Sequence, residues 1–430
     1  MTVNRAVVLG AGTMGSQIAA LLAGHGVECD LLDLTTADGP SRSGLAESAK
    51  ERLLGMRPPA VEDSSVLSRI HPGNFDDDMD RLSDADWVIE AVAERLDIKR
   101  AIWARAAKHV AGKTVVSSNT SGLPIASIAK ALPGDMRRRF LGFHFFNPPR
   151  YMRLVEVIPT EDTDPAVTDA VERYGHEVLG KGTVIAKDVP GFIANRVGSY
   201  GLLATLNAMD EFSLGPGAVD AITGVAMGRP KSATLRTLDL VGIDIFADIC
   251  DSLAHSIDDQ RESAEFALPD YVREMVRRRW TGAKADGGFY VRSPSKEGKE
   301  LLELRPGSLE YVPMAGFDSP SLAAALELTE PIDRLRTLVE SNDDAGRFAW
   351  TVLSKGLSYA AQMLGTVADD AESIDKAMRW GFGWDLGPFE TWDALGASET
   401  KRRMAEDGLR IPPWVDDAVR TGVPLAKARA

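Results

Sequence analysis

The feature that most constrains this chain is a glycine-rich turn, GAGTMG, set between an apolar run that ends at Leu9 and an apolar stretch through SQIAALLAGHG. Gly10, Gly12 and Gly15 suit a strand that turns sharply into a helix: one for the turn, one for close approach of a ligand to backbone, one for helix–strand packing. Such a turn aims amide groups and the positive end of a helix at a single spot, which favours a phosphate. A second apolar run, VECDLLD, ends in Asp33, at the distance of about twenty residues where a carboxylate binds a ribose 2′-hydroxyl and repels a 2′-phosphate. The glycine spacing alone also describes an ordinary turn. The preceding strand, the following helix and the acid after the second strand together point to a dinucleotide, NAD rather than NADP, held by Gly10, Gly12, Thr13, Met14, Gly15 and Asp33.

Strand-like runs continue to alternate with helical patterns as far as residue 188, through WVIEAV, TVVSSN, RFLGFHFF and KGTVIAKD. That alternation predicts an α/β fold with a Rossmann-type doubly wound, largely parallel sheet over residues 1–190. With 430 residues the chain exceeds the size a single core supports, so further domains are expected. From Gly191 onward the period changes: Ile193, Val197, Leu202, Leu206 and Met209 fall at helical spacing. Two segments, VDAITGVAMGRPKSATLRTLDLVG from Val219 and IDKAMRWGFGWDLGPFETWDALG from Ile374, resemble one another, and each follows an amphipathic helix. The reading is two tandem all-α domains, 191–292 and 344–430, joined by a connector at 293–343 that contains the hairpin-like ELLELRPGSLEYVP.

Charge and cysteine content narrow the partners. A net charge of −14 disfavours general affinity for nucleic acid or anionic lipid, so any anionic ligand requires a locally basic pocket. Cys29 and Cys250 both sit in apolar stretches, which offers neither a disulfide framework nor a cysteine metal site. The opening MTVNRAVVLG enters a strand pattern at once and no apolar run is long enough to span a bilayer, so the expectation is a cytoplasmic protein with no leader and no membrane span.

There are six histidines, and His144 stands apart because it lies near the end of the apolar run RFLGFHFFNPP. Strand ends at the carboxyl edge of a doubly wound sheet face the crevice where ligands bind. GAGTMG, SNTSGLPI, HFFNPPRYMRLVEVI and DVPGFIANR, in that order and spacing over nearly the whole chain, resemble the L-3-hydroxyacyl-CoA dehydrogenase family. The resemblance implies that His144 takes the hydroxyl proton, that Glu156 orients and supports the imidazolium, and that Ser121 and Asn195 bind the reacting oxygen or hold the histidine. It further implies that Glu94, Lys99 and Asn147 line the cofactor and substrate cleft, with Lys284 of GAKADGGFY near the cofactor. The chemistry suits these residue types: hydride leaves the 3-carbon only as the hydroxyl proton is removed, and a carboxylate on the far nitrogen fixes the histidine tautomer. No metal is expected.

Coenzyme A carries several phosphate charges. Arg150 and Arg153 after HFFNPP, and Lys50, Arg52 and Arg57 on the helical pattern after the second strand, are the basic residues placed to meet them, although charged helix faces are usually only solvated. The two-copy arrangement and GRPKSAT most resemble the dehydrogenase half of bacterial β-oxidation proteins that also carry an enoyl-CoA hydratase. This chain ends at VPLAKARA, so hydratase activity is expected to be absent and a separate hydratase or thiolase partner is left open. A covalently linked second copy could bury the face through which shorter family members dimerise, giving a monomer, or a dimer through another surface. Two other readings stand beside the dehydrogenase: a catalytically silent CoA- or NAD-binding subunit of a β-oxidation complex, and a dehydrogenase of a 3-hydroxy acid not linked to coenzyme A.

Overall fold

The structure, a computed structural model, describes residues 1–37, 41–285, 287–295 and 298–430. These residues form two compact units, Met1–Phe192 and Ile193–Ala430.

The first unit is built on eight strands: β1 (Arg5–Leu9), β2 (Glu28–Asp33), β3 (Ile70–Asn74), β4 (Trp87–Glu90), β5 (Val115–Ser118), β6 (Phe140–Phe145), β7 (Leu154–Pro159) and β8 (Gly182–Ile185). They lie in the order β3-β2-β1-β4-β5-β6-β7-β8. The first six run parallel, β7 pairs antiparallel with β6, and β8 lies parallel to β7. Helices α1 (Thr13–Gly24), α2 (Gly44–Arg52), α3 (Leu96–Ala106), α4 (Ile125–Ala129), α5 (Gly134–Arg137) and α6 (Pro165–Arg173) connect them. Strands β4 and β6 are buried along their whole length, as expected of largely apolar strands in a sheet with both faces covered, with Glu90 and His144 as their buried polar residues. Trp87 anchors that core, its ring edge-on to Phe143 at 5.0 Å and to Tyr174 at 5.8 Å, while its indole N–H donates to Ser117 Oγ. Burial of each such aromatic contributes on the order of 2–3 kcal/mol.

Strand β3, IHPGN, escaped the sequence reading because it contains proline and glycine and lacks an apolar run. It sits at the sheet's edge, the position where a residue without an N–H is tolerated.

The second unit opens with α7 (Ala194–Glu211), α8 (Pro216–Thr223), α9 (Leu235–Val241), α10 (Ile243–Ser256), α11 (Gln260–Ala264) and α12 (Asp270–Arg277). A three-stranded antiparallel sheet follows, β9 (Tyr290–Ser295), β10 (Gly298–Arg305) and β11 (Glu310–Pro313), with β10 in the middle. The expected hairpin is the β10–β11 pair, but β9 begins before residue 293, so the strands straddle the boundary drawn from sequence. Residues 296–297 of the expected connector lie outside the described residues. Helices α13 (Pro320–Leu326), α14 (Pro331–Val339), α15 (Asp344–Met363), α16 (Ala371–Phe382), α17 (Pro388–Leu395), α18 (Ala397–Glu406) and α19 (Pro413–Thr421) complete the unit.

Within this unit the long helices α7 and α15 pack together. Tyr200 stacks flat on Tyr359 with ring centroids 4.0 Å apart, and Arg196 donates to Glu262, which also accepts from the Tyr359 hydroxyl. Gly198 leaves room for Phe382 of α16; a β-carbon there would fall 2.0 Å from the ring. The repeat seen in sequence has a backbone counterpart. Asp220 accepts from the amides of Thr234, Leu235 and Arg236, and Asp375 likewise from those of Phe389 and Glu390. Asp239 then accepts from the Phe289 and Tyr290 amides, as Asp393 does from those of Leu425 and Ala426.

Candidate active site

At the carboxyl ends of β1 and β2 the glycine turn leaves a cradle. Gly10 has φ +105° and its missing side chain clears the Ala91 carbonyl, which a β-carbon would approach to 2.6 Å; a β-carbon on Gly15 would lie 1.8 Å from the Gly10 carbonyl oxygen. Gly12, by contrast, faces open space, with nothing within 4 Å of where its side chain would begin. Helix α1 starts there with no side-chain cap and no acidic residue in its first turn, so its positive end is left for a ligand to satisfy. Asp33 shapes the same spot: Oδ2 accepts from the Ala11 amide and Oδ1 from that of Leu34, both at 2.6 Å. Each oxygen retains acceptor capacity for a hydroxyl. An uncapped helix start, an open glycine and an oriented carboxylate fit a dinucleotide.

His144 and Glu156 are direct cross-strand partners on β6 and β7. Because side chains alternate along a strand, both project from one face, opposite the face where Phe143, Phe145, Val155 and Val157 enter the core. His144 Nδ1 lies 2.8 Å from Glu156 Oε2, and both residues are buried, at 3% and 0% exposure. A carboxylate at Nδ1 selects the tautomer with its proton there and leaves Nε2 as the basic nitrogen; Nε2 has no partner among the described residues. Phe146 and Phe192 flank the imidazole with ring centroids at 4.5 and 5.8 Å, excluding water from two sides. Asn119 Oδ1 accepts from the Phe145 amide and fixes the end of β6.

The loop after β5 carries Ser121, exposed, with its amide donating to Glu94 Oε1 at 2.8 Å. The same oxygen accepts from Thr120 Oγ1 and the Gly122 amide, so Glu94 moulds the whole turn. Burial works against ionisation of Glu94, but the Lys99 charge and the hydrogen bonds from Thr120 and Ser121 outweigh it and hold the carboxyl below its usual range.

Lys99, expected to line the cleft, is 1% exposed and sits between Glu90 Oε1 at 2.7 Å and Glu94 Oε2 at 3.2 Å. Glu90, also accepting from Ser118 Oγ, went unnoticed in sequence; the signal was an acid ending the apolar strand WVIE. Asn147 Oδ1 accepts from Gln17 Nε2 at 3.0 Å, and Gln17 also donates to the Thr13 carbonyl, which ties the segment after β6 to the first turn of α1.

The basic residues expected near coenzyme A phosphates do not form one cluster. Lys50 Nζ donates to the Ile70 carbonyl, Arg57 to that of Met56, and Arg150 lies 3.7 Å from Glu62, whereas Arg52 and Arg153 are exposed. Lys50 is therefore engaged in holding β3. Asn195 and Lys284 belong to the second unit, the former half-buried in the first turn of α7 and the latter exposed in the segment before β9.

Comparison with known proteins adds to this geometry. Residues 5–189 match the family model described as 3-hydroxyacyl-CoA dehydrogenase, NAD binding domain, and residues 191–292 match that of the 3-hydroxyacyl-CoA dehydrogenase C-terminal domain. A probable 3-hydroxyacyl-CoA dehydrogenase of Bacillus subtilis is 42% identical over 98% of this chain, which spans 54% of that relative's length. A probable 3-hydroxyacyl-CoA dehydrogenase of Deinococcus radiodurans is also 42% identical, over 70% of this chain and 86% of its own. Among solved structures, an (S)-3-hydroxybutyryl-CoA dehydrogenase of Ralstonia eutropha aligns with TM-score 0.57 and 28% identity over 68% of this chain and all of its own. A 3-hydroxybutyryl-CoA dehydrogenase of Escherichia coli shares the fold, with TM-score 0.74 at 23% identity over 98% of this chain and 99% of its own.

Proposed function

Because this chain belongs to the 3-hydroxyacyl-CoA dehydrogenase family, we propose that it oxidises the 3-hydroxyl of an L-3-hydroxyacyl-CoA, with NAD as cofactor and His144 as base. The observation that carries the reading is the buried 2.8 Å contact between His144 Nδ1 and Glu156 Oε2 on adjacent strands. Bound NAD supplies the acceptor for the hydride that leaves the 3-carbon. His144 Nε2 takes the hydroxyl proton as the carbonyl forms, and Glu156 stabilises the imidazolium so produced. A positioned base of this kind contributes about 10²–10⁴-fold.

Ser121 and Asn195 are the donors to the forming ketone in this reading. The first turn of α1, with Gly10, Gly12, Thr13, Met14 and Gly15, holds the pyrophosphate; Asp33 holds a ribose, and Glu94, Asn147 and Lys284 complete the cofactor's surroundings. Arg150 and Arg153 meet coenzyme A phosphates. Residues 1–190 then serve as the cofactor domain, 191–292 and 344–430 as the two helical copies, and 293–343 as the connector. Buried pairing of α7 with α15 supports a chain that needs no second subunit to cover that face.

His144→Gln is the test. Turnover of NAD with a 3-hydroxyacyl-CoA should fall by about 10²–10⁴-fold, while the dissociation constant for NAD measured by titration stays near that of the parent. Retained turnover in the variant removes His144 as the base, and turnover of free 3-hydroxy acids in place of the thioester removes the substrate class.

A further inference from the structure

The first unit holds a buried cation that the reading above does not use. Lys181, immediately before β8, is 5% exposed, and its ammonium donates to the carbonyls of Pro149 and Met152, the latter at 2.9 Å. Among the described residues no carboxylate pairs with it, although burying an unpaired charge is among the most expensive choices a fold makes. Both carbonyls belong to the loop between β6 and β7, and the Gly182 amide, next in the chain, donates to the Arg153 carbonyl of the same loop. That loop joins the strand of His144 to the strand of Glu156 and carries Asn147, whose amide oxygen is held by Gln17 on α1.

We infer that Lys181 is a positioning residue for the reaction, fastening the β6–β7 loop so that Asn147 stays against Gln17 at the cofactor cradle. The inference rests on the proposed dehydrogenase reading. With three donors and no acceptor, one ammonium can satisfy two carbonyls at once. Burial pulls the Lys181 ammonium down from the ordinary lysine value of 10.5 to about 8, so the clasp loses its charge just above neutrality. The titratable groups on the packed elements are Arg150, Tyr151 and Arg153 of the loop and Tyr174, His176 and Glu177 of the turn before it; His176 Nδ1 meets the Lys181 backbone carbonyl at 3.2 Å rather than the ammonium.

The experiment compares the parent chain with Lys181→Met, and with Lys181→Arg, which keeps the charge. In the parent, kcat should decline through an alkaline limb near pH 8; in Lys181→Met that limb should be gone, kcat at least tenfold lower, and amide exchange across residues 146–153 faster. Lys181→Arg should restore part of kcat. The non-additivity of Lys181→Met with Asn147→Ala reads out the shared path. A parent without the limb, or a folded Lys181→Met with unchanged kcat and unchanged exchange in the loop, overturns the inference. A parent that fails to turn over NAD and a 3-hydroxyacyl-CoA at any pH instead overturns the reading beneath it, and the exchange measurement still judges the clasp. Should Lys181→Met not fold, Lys181→Arg decides, by whether kcat and amide exchange across residues 146–153 shift when the ammonium's two carbonyl contacts are replaced.

Discussion

The two helical copies share a frame and differ in what hangs on it. In both, an aspartate one turn into a helix caps the next helix, a glycine in the left-handed region ends the helical segment, and a second aspartate clasps a later stretch of backbone: Asp220, Gly228 and Asp239 in one, Asp375, Gly383 and Asp393 in the other. What differs is the leading helix. Asn195 lies as far before Asp220 as Trp350 lies before Asp375, so a polar side chain in the first copy corresponds to a buried indole in the second. Carboxylates that satisfy main-chain amides preserve a fold whatever the surface does, because losing one strands several buried donors. The second copy has kept those and traded its polar turn for packing.

Substitutions in paired positions can break or sharpen that contrast. On turnover the larger effect is expected of Asn195→Ala, which should lower it about 10²–10³-fold, the scale for one lost donor to a developing oxyanion, with a smaller fall in melting temperature than its counterpart. Trp350→Ala should do the reverse. Its indole is 7% exposed, donates to Asp407 Oδ2 at 2.6 Å and carries the Arg403 guanidinium over its face, so denaturant titration should show a loss of about 3–5 kcal/mol with turnover per folded molecule intact. If instead both variants mainly lose turnover, the copies are not divided as described.

Gly198→Leu comes next, at about 1–3 kcal/mol from forcing a side chain into Phe382, read from the same titration. A pH-dependent effect is expected of the capping acids. Burial pushes Asp375 up from 3.8 to about 8, so the folded protein holds a proton there that the unfolded chain releases. Stability from this group is full below about pH 4 and is lost as pH rises to about 8, and Asp375→Asn should flatten that slope in a series of melts. Smallest of all, Arg402→Ala, on an exposed face beside Glu399 and Glu406, should leave the melting temperature where it was.

Much of this was legible in the chain because it depends on local pattern. GAGTMG needs only its neighbours to declare a strand, a turn and a helix, and β4, β5 and β6 announce themselves as apolar runs. The repeat was visible because WDALG and LDLVG keep a glycine where the backbone requires one: Gly242 and Gly396 both have φ near +100°. Other features depend on partners distant in sequence. Nothing in AERLDIK announces that Lys99 pairs with Glu90, which ends another element nine residues earlier. Lys181 gave no sign at all, since its partners are main-chain carbonyls of unremarkable residues. The β9 strand crosses the boundary drawn at the start of the connector, and the structure ties its first residue to Asp239 far upstream.

The pairing of β6 with β7 has a consequence for how such chains vary. Histidine and acid meet because two strands lie in register, and sliding either by one position would deliver Val155 or Val157 to the imidazole and turn the carboxylate to the other side of the sheet. Every main-chain bond of the ladder therefore guards the couple, whatever the number of residues between the strands. Anyone hunting the same couple in distant chains should ignore the interval of twelve that separates them here and look for an acid facing the same way on the neighbouring strand.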